Sequence, residues 1–254
     1  MLLDASLSLG YPGRPRVLDG FELSLAPGEV CGLAGPSGSG KSTFGLALLG
    51  LHDRAQIEGK LQFDHRDLTR LSEGEWRNVR GREIALVPQS PLASLNPRLS
   101  VAAHFREAWS VHARGDWRAA VREALHAAQL DYSEDLLGKR PRQLSVGMAQ
   151  RVLIAMAVLH RPKLIVADEA TSALDLIAQA GILSLFRELR DRYGLSVLFI
   201  THDLAAAGSV CDRLAILHQG RVVEHGPAAQ VLAAPRHAYT QALVAALPAP
   251  VFTA

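Results

Sequence analysis

An apolar stretch, Val30 to Ala34, runs without a break into Gly35-Pro36-Ser37-Gly38-Ser39-Gly40-Lys41-Ser42, and an apolar helical run follows. Glycine, four residues, then glycine–lysine–serine, set between a strand and a helix, is the P-loop pattern. Its glycines let the backbone curl so that successive N–H groups point at phosphate oxygens. Lys41 brings a positive charge to the β- and γ-phosphates, and the Ser42 hydroxyl suits Mg²⁺. The amino terminus of the following helix favours an anion. That helix is expected from Lys41, with Phe44, Leu46, Leu48 and Leu49 and no breaker before Gly50. The expected phosphate contacts are Gly35, Pro36, Ser37, Gly38, Ser39, Gly40, Lys41, Ser42 and Thr43. A glycine-rich turn matching by chance would lack these flanks. The loop points to a nucleoside triphosphate without choosing among kinases, GTPases and motors.

A second apolar run, Leu164 to Ala167, ends in Asp168-Glu169. Carboxylates at the end of a buried strand are costly unless a cation or a proton compensates. Beside a P-loop that cation is Mg²⁺, held by Asp168, and Glu169 stands where a general base would polarise water. The alternative for Glu169 is a cap on the following turn. Leu195 to Ile200 reads as a third buried strand. Leu176, Ala180, Leu183, Phe186, Leu189 and Tyr193 recur at three or four residues, an amphipathic helix that Gly194 closes. Arg213–Leu217, Gln219-Gly220 and Val222-Val223 read as a hairpin. The segment from Pro97 to His160 is mainly helical in pattern. Strands alternating with helices imply an α/β fold with a parallel sheet and a helical lobe inserted near residues 98–160.

Of the 254 residues, 48% are hydrophobic and 20% charged, enough for a sizeable core. A net charge of +2 with no basic stripe argues against nucleic acid as a partner. Cys31 and Cys211 lie in or beside apolar runs and are expected to be buried reduced thiols; two cysteines do not supply an iron–sulfur site. Met1 to Gly10 lacks the form of a signal peptide. The run Val152–Leu159 is too short to cross a bilayer, so the chain is expected to have no transmembrane segment of its own. Membrane work would require docking on spanning polypeptides. The ten histidines form no tight cluster with ligand spacing.

Leu144-Ser145-Val146-Gly147-Met148, followed by Ala149-Gln150-Arg151, resembles the signature loop of ATP-binding cassette proteins. Gln89, the Ser172-Ala173-Leu174-Asp175 run and His202 resemble that family's Q-loop, D-loop and switch histidine, so the resemblance spans nearly the whole chain. It implies a single nucleotide-binding domain over 1–254. This has a RecA-like P-loop core with a parallel sheet, an antiparallel β subdomain, a helical subdomain near 98–160 carrying the signature loop, and a short tail from about 225 to 254. It further implies ATP and Mg²⁺ as ligands, with Ser42, Gln89 and Asp168 around the metal and Glu169, His202 and Gln89 in catalysis. Ser145 and the Gly147 N–H would reach a nucleotide held by a second ATPase subunit, identical or related, with Asp175 at the dimer contact. Tyr11 falls where the family stacks an aromatic on adenine, although an ordinary strand residue would look the same. Asp203 is expected to be a helix cap. Two positions depart from the family: Val146, where most members have glycine, and Ala170, where many have proline. Valine does not easily take positive φ and adds bulk beside the phosphate path.

Gln89 to Pro97 and the tail from Pro235 to Leu243 resemble the dipeptide, oligopeptide and nickel importer group. The implied partners are two transmembrane permease subunits and an extracytoplasmic solute-binding protein, with this chain peripheral on the cytoplasmic face of the inner membrane. The segment Gln89–Phe105 is the expected groove for a permease helix. Because the sequence ends at Ala254 and carries Asp-Glu-Ala-Thr-Ser, the resemblance leans slightly to nickel or a metal chelate over peptides. Two other readings are a soluble cassette ATPase of repair or the ribosome, and a regulatory subunit that binds ATP without hydrolysis. No long heptad insertion or second cassette supports the first, and Glu169 and His202 argue against the second.

Overall fold

The computed structural model describes residues 1–52 and 55–247; residues 248–254 of the expected tail lie outside them. Its strands are β1 (Leu3–Gly10), β2 (Arg16–Leu25), β3 (Val30–Ala34), β4 (Gln56–Phe63), β5 (Arg66–Asp67), β6 (Ile84–Val87), β7 (Leu164–Asp168), β8 (Ser196–Thr201), β9 (Arg213–His218) and β10 (Arg221–Pro227). The apolar runs in β3, β7 and β8 have no polar face to give to water, so they belong in a sheet covered on both sides. They lie in a six-stranded sheet of order β10-β9-β3-β8-β7-β6, parallel from β9 through β6, with β10 antiparallel at one edge.

Side chains alternate between two cores across this sheet. Val30, Ile165, Ala167, Val197 and Phe199 face one, with the helices Val101–His112, Arg118–Ala127, Val146–Val158 and Leu176–Tyr193 over it. Cys31, Leu33, Leu164, Val166, Leu198 and Ile200 face the other. There the helix Lys41–Ala47 lies between the main sheet and a four-stranded sheet of order β2-β1-β4-β5. Phe21 of β2 and Phe44 of that helix meet with ring centroids 4.4 Å apart.

The amphipathic helix spans Leu176–Tyr193 and Gly194 closes it at φ 63°, as its pattern implies. Its buried stripe is Ile182, Leu183, Leu185, Phe186 and Leu189, whereas Leu176 and Ile177 are 84% and 87% exposed. The apolar periodicity continues through the first turn, but its two large apolar side chains, Leu176 and Ile177, are left uncovered among the described residues. The helix Glu73–Val79 has a capping box, with the Ser72 hydroxyl on the Glu75 N–H and the Glu75 carboxylate on the Ser72 N–H. That spacing was present in the sequence as Ser-Glu-Gly-Glu. Among the described residues no helix is long and apolar enough to cross a membrane.

Both cysteines are buried free thiols. Burial pushes the Cys31 thiol up to about 12, and burial likewise raises Cys211, so neither is a ready nucleophile. A β-carbon at Gly32 of β3 would lie 2.8 Å from Leu214 Cδ1 and 2.9 Å from Cys211 Sγ. Gly32→Ala should therefore destabilise the fold by about 1–3 kcal/mol through overpacking. Adding Cys211→Ala should restore part of that loss, both effects being read from denaturant unfolding midpoints.

Candidate active site

Parallel pairing aligns the carboxyl ends of four strands. Ala34 pairs with Thr201, Ile200 with Asp168, and Ala167 with Val87. The loops that leave those ends begin with Gly35, His202, Glu169 and the stretch containing Gln89, so the motifs converge on one edge of the sheet. This is the edge where open α/β sheets bind ligands.

The loop from Gly35 to Gly40 turns back on itself around Lys41. The Lys41 ammonium donates to the carbonyls of Gly35 (2.9 Å) and Pro36 (2.8 Å) and is 5% exposed. Burial lowers its pKa, while Glu169 and Asp168 pull the other way. Gly38 and Gly40 take φ of 77° and 106°, a region costly for a side-chain-bearing residue. Space around Gly38 is open, as a cradle for an anion requires, whereas a β-carbon at Gly40 would lie 2.7 Å from Leu18 Cδ2. The Ser39 hydroxyl is buried and has no protein partner among the described residues. An orphaned donor at the mouth of a loop of N–H groups fits a phosphate oxygen.

Across from Lys41, Ser42 Oγ donates to Asp168 Oδ1 at 3.0 Å. Burial raises the Asp168 pKa; the Ser42 hydroxyl opposes this, neighbouring Glu169 adds to it, and Lys41 opposes it. A hydroxyl and a part-buried carboxylate in contact form a hard oxygen set of the type Mg²⁺ takes. The residues present fit that ion.

Glu169 stands at φ 48°, left-handed for a non-glycine residue, and its N–H donates to Ile200 O at 2.9 Å. This turn directs its carboxylate to two other motif residues. Gln89 Nε2 donates to Glu169 Oε2 at 2.8 Å, and His202 Nδ1 donates to Oε1 at 3.0 Å. The acceptor is a carboxylate, so Gln89 turns its amide NH₂ inward and keeps its carbonyl free. His202 carries its proton on Nδ1 and leaves Nε2 for another partner. The Glu169 side chain does not cap the next turn; its carbonyl does, accepting from Ser172 N.

The signature loop lies at the start of the helix Val146–Val158. Ser145 caps it, with Oγ accepting from Met148 N at 3.2 Å, so its own hydroxyl proton remains available. The helix itself has no partner for its first N–H groups, which include that of Gly147. Gly147 faces Ala178, and Val146 is 36% exposed. Asp175 caps the helix Leu176–Tyr193 through Ala178 N, and Asp203 caps the helix Leu204–Val210 through Ala206 N. Tyr11 follows β1, half-buried against the same apolar core as Val17.

Two supports of the loop had no signature in the sequence. The Leu217 carbonyl at the end of β9 lies where a β-carbon on Gly35 would come within 2.2 Å of its oxygen, and Val17 and Leu18 of β2 press on Gly40. Every residue type has a backbone carbonyl, and aliphatic side chains are common in β-strands, so only the packing identifies these supports.

The family model described as ABC transporter matches residues 18–172. The dipeptide transport ATP-binding protein DppD of Escherichia coli is 44% identical over 250 residues, covering 96% of this chain and 76% of that protein. The oligopeptide transport ATP-binding protein OppD of Bacillus subtilis is 38% identical over 244 residues, covering 94% and 68%. Among solved structures, cbiO1 from Clostridium perfringens, part of the transporter complex cbiONQ, superposes with a TM-score of 0.80 at 26% identity over 92% of this chain and 91% of that one. The cassette MJ0796, solved as a dimer in a post-hydrolysis state with ADP and Pi, gives 0.76 at 29% identity over 90% and 99%. With the loop, the strand-end carboxylates and the glutamine and histidine beside them on one sheet edge, the chain belongs to the ABC transporter ATPase family.

Proposed function

We propose that this chain is the ATP-binding and ATP-hydrolysing subunit of an importer for a small solute, working on the cytoplasmic face of the inner membrane. The observation that carries the hydrolytic reading is the hydrogen-bonded set Gln89–Glu169–His202 beside Lys41, Ser42 and Asp168. Likeness to dipeptide and oligopeptide transport proteins favours a dipeptide or oligopeptide over a metal chelate as the solute. Its partners would be a second ATPase subunit, two membrane permeases and an extracytoplasmic solute-binding protein.

In this reading residues 35–43, Lys41 among them, bind the ATP phosphates, and Tyr11 stacks on adenine. Ser42, Asp168 and the free carbonyl of Gln89 would hold Mg²⁺, which would neutralise charge on the phosphate oxygens. Glu169 accepts a proton from the attacking water. Its two oxygens offer about four lone-pair positions, so bonds to Gln89 and His202 leave room for water. His202 Nε2 meets the γ-phosphate. Ser145 and Gly147 serve the nucleotide of the partner ATPase, and the exposed Leu176 and Ile177 become buried against it. The short helix Pro91–Ser94, with Leu92 41% exposed, lies in the segment proposed to receive a permease helix.

Glu169→Gln should keep ATP binding and lower turnover about 10²–10⁴-fold, and should accumulate an ATP-bound dimer on size-exclusion chromatography. Normal single-site turnover would remove Glu169 from the role of base.

Asp168→Asn separates metal binding from folding. Burial raises the Asp168 pKa in the fold, so its ionised form is disfavoured there relative to the unfolded chain. That destabilisation is present above the folded pKa and vanishes as pH falls toward the ordinary carboxylate range. Without nucleotide, the variant should melt at or above the parent near neutral pH, with the gap closing on acidification. With Mg²⁺ and ATP, the parent should gain melting temperature and the variant should gain little.

A further inference from the structure

The carboxyl-terminal helix Ala238–Ala245 has no part in the reaction described above, yet it stacks on the strand that supports the phosphate loop. The Tyr239 ring lies on the His218 imidazole at 3.8 Å between centroids and 20° between planes. His218 is the last residue of β9 and follows Leu217, whose carbonyl abuts Gly35. The turn after His218 reaches the other end of the loop. Gly220 O accepts from Asp19 N at 3.0 Å, Arg221 pairs with Asp19, and a β-carbon at Gly220 would lie 2.6 Å from Val17 O. Val17 and Leu18 are in turn the residues against Gly40. The end of β9 and its turn thus hold the loop at both Gly35 and Gly40.

His218 is positioned by packing rather than by a bond from its buried nitrogen. Its Nδ1 has no hydrogen-bond partner among the described residues. Tyr239 is held in place on its own side. His237 Nδ1 accepts from Tyr239 N at 3.2 Å, and the Glu224 carboxylate of β10 accepts from the N–H groups of Arg236 (2.8 Å) and His237 (3.0 Å). Thr240 beside it is fully buried. We propose that Tyr239 is a positioning residue for nucleotide binding: through His218 it fixes the end of β9 against the P-loop, so that the tail helix sets the affinity for ATP. This inference rests on the nucleotide reading of the loop.

The test compares three variants with the parent by equilibrium titration with a fluorescent ATP analogue and Mg²⁺, each first shown to be folded by circular dichroism and thermal melting. Tyr239→Ala should raise the Kd about three- to tenfold, the worth of one aromatic stack, with KM for ATP rising in step and kcat little changed. Tyr239→Phe keeps the ring and should stay within about twofold of the parent. Leu243→Ala is the control, because Leu243 packs on the core from the same helix. It should lower the melting temperature without moving the Kd. An unchanged Kd in folded Tyr239→Ala would overturn the proposal, as would an equal rise in Leu243→Ala, which would trace the effect to general loosening of the tail. Absence of ATP binding by the parent would instead defeat the nucleotide reading, and this inference with it.

Discussion

In-register parallel pairing of β3, β8, β7 and β6 is the constraint on which the site depends. Each strand is only four to six residues long and buried on both faces. Because side chains alternate across a sheet, a slip of one residue in any strand would exchange its two cores. Val197 and Phe199 would then have to fit where Leu198 and Ile200 now pack. Packing therefore locks the register, and the locked register delivers Gly35, His202, Asp168-Glu169 and the Gln89 stretch to one edge. Residues separated by as many as 126 positions then meet within hydrogen-bond distance.

The electrostatics of that edge follow from burial. A lysine ammonium enclosed by its own loop carbonyls faces two carboxylates, one of them shifted toward its neutral form. Burial opposes ionisation of both Lys41 and Asp168, each favouring the other's charge only in part. Such a set is better satisfied with more anionic oxygen near Lys41 and more positive charge near Asp168, which is what a phosphate chain and its metal supply. The left-handed φ at Glu169 belongs to the same arrangement, since it turns the carboxylate toward Gln89 and His202 and away from the helix that follows. Strain of this type persists where neighbours over-determine it, here through Ile200 O, Gln89 and His202 together.

Much of the fold was legible in the sequence because its signals are local. Apolar runs bounded by turns marked β3, β7 and β8; Gly194 marked the end of a helix; Gln219-Gly220 marked the hairpin of β9 and β10. The P-loop was legible because glycine and lysine are needed there for backbone reasons that few other residues meet. Strands β4 and β5 leave little mark in the sequence, because Gln56–Phe63 mixes charged and apolar residues and buries a face only once it pairs with β1. The amphipathic pattern over Leu176–Tyr193 was right about the helix and silent about which turns pack. Leu176 and Ile177 continue the pattern into a region the single subunit leaves exposed.

By itself the sequence determined the kind of site: a loop of glycines before a lysine, paired carboxylates after a buried strand, and a glutamine and a histidine after two more. Those are statements about backbone freedom and side-chain chemistry, and they are carried by short stretches of chain. Tertiary structure alone decided that Glu169 bonds Gln89 and His202 at once, that Leu217 O and Leu18 wedge the phosphate loop, and that Tyr239 stacks on His218. Each of these joins segments distant along the chain through distances of a few ångströms. Such distances are set by sheet register and core packing, and these exist only after the chain has folded.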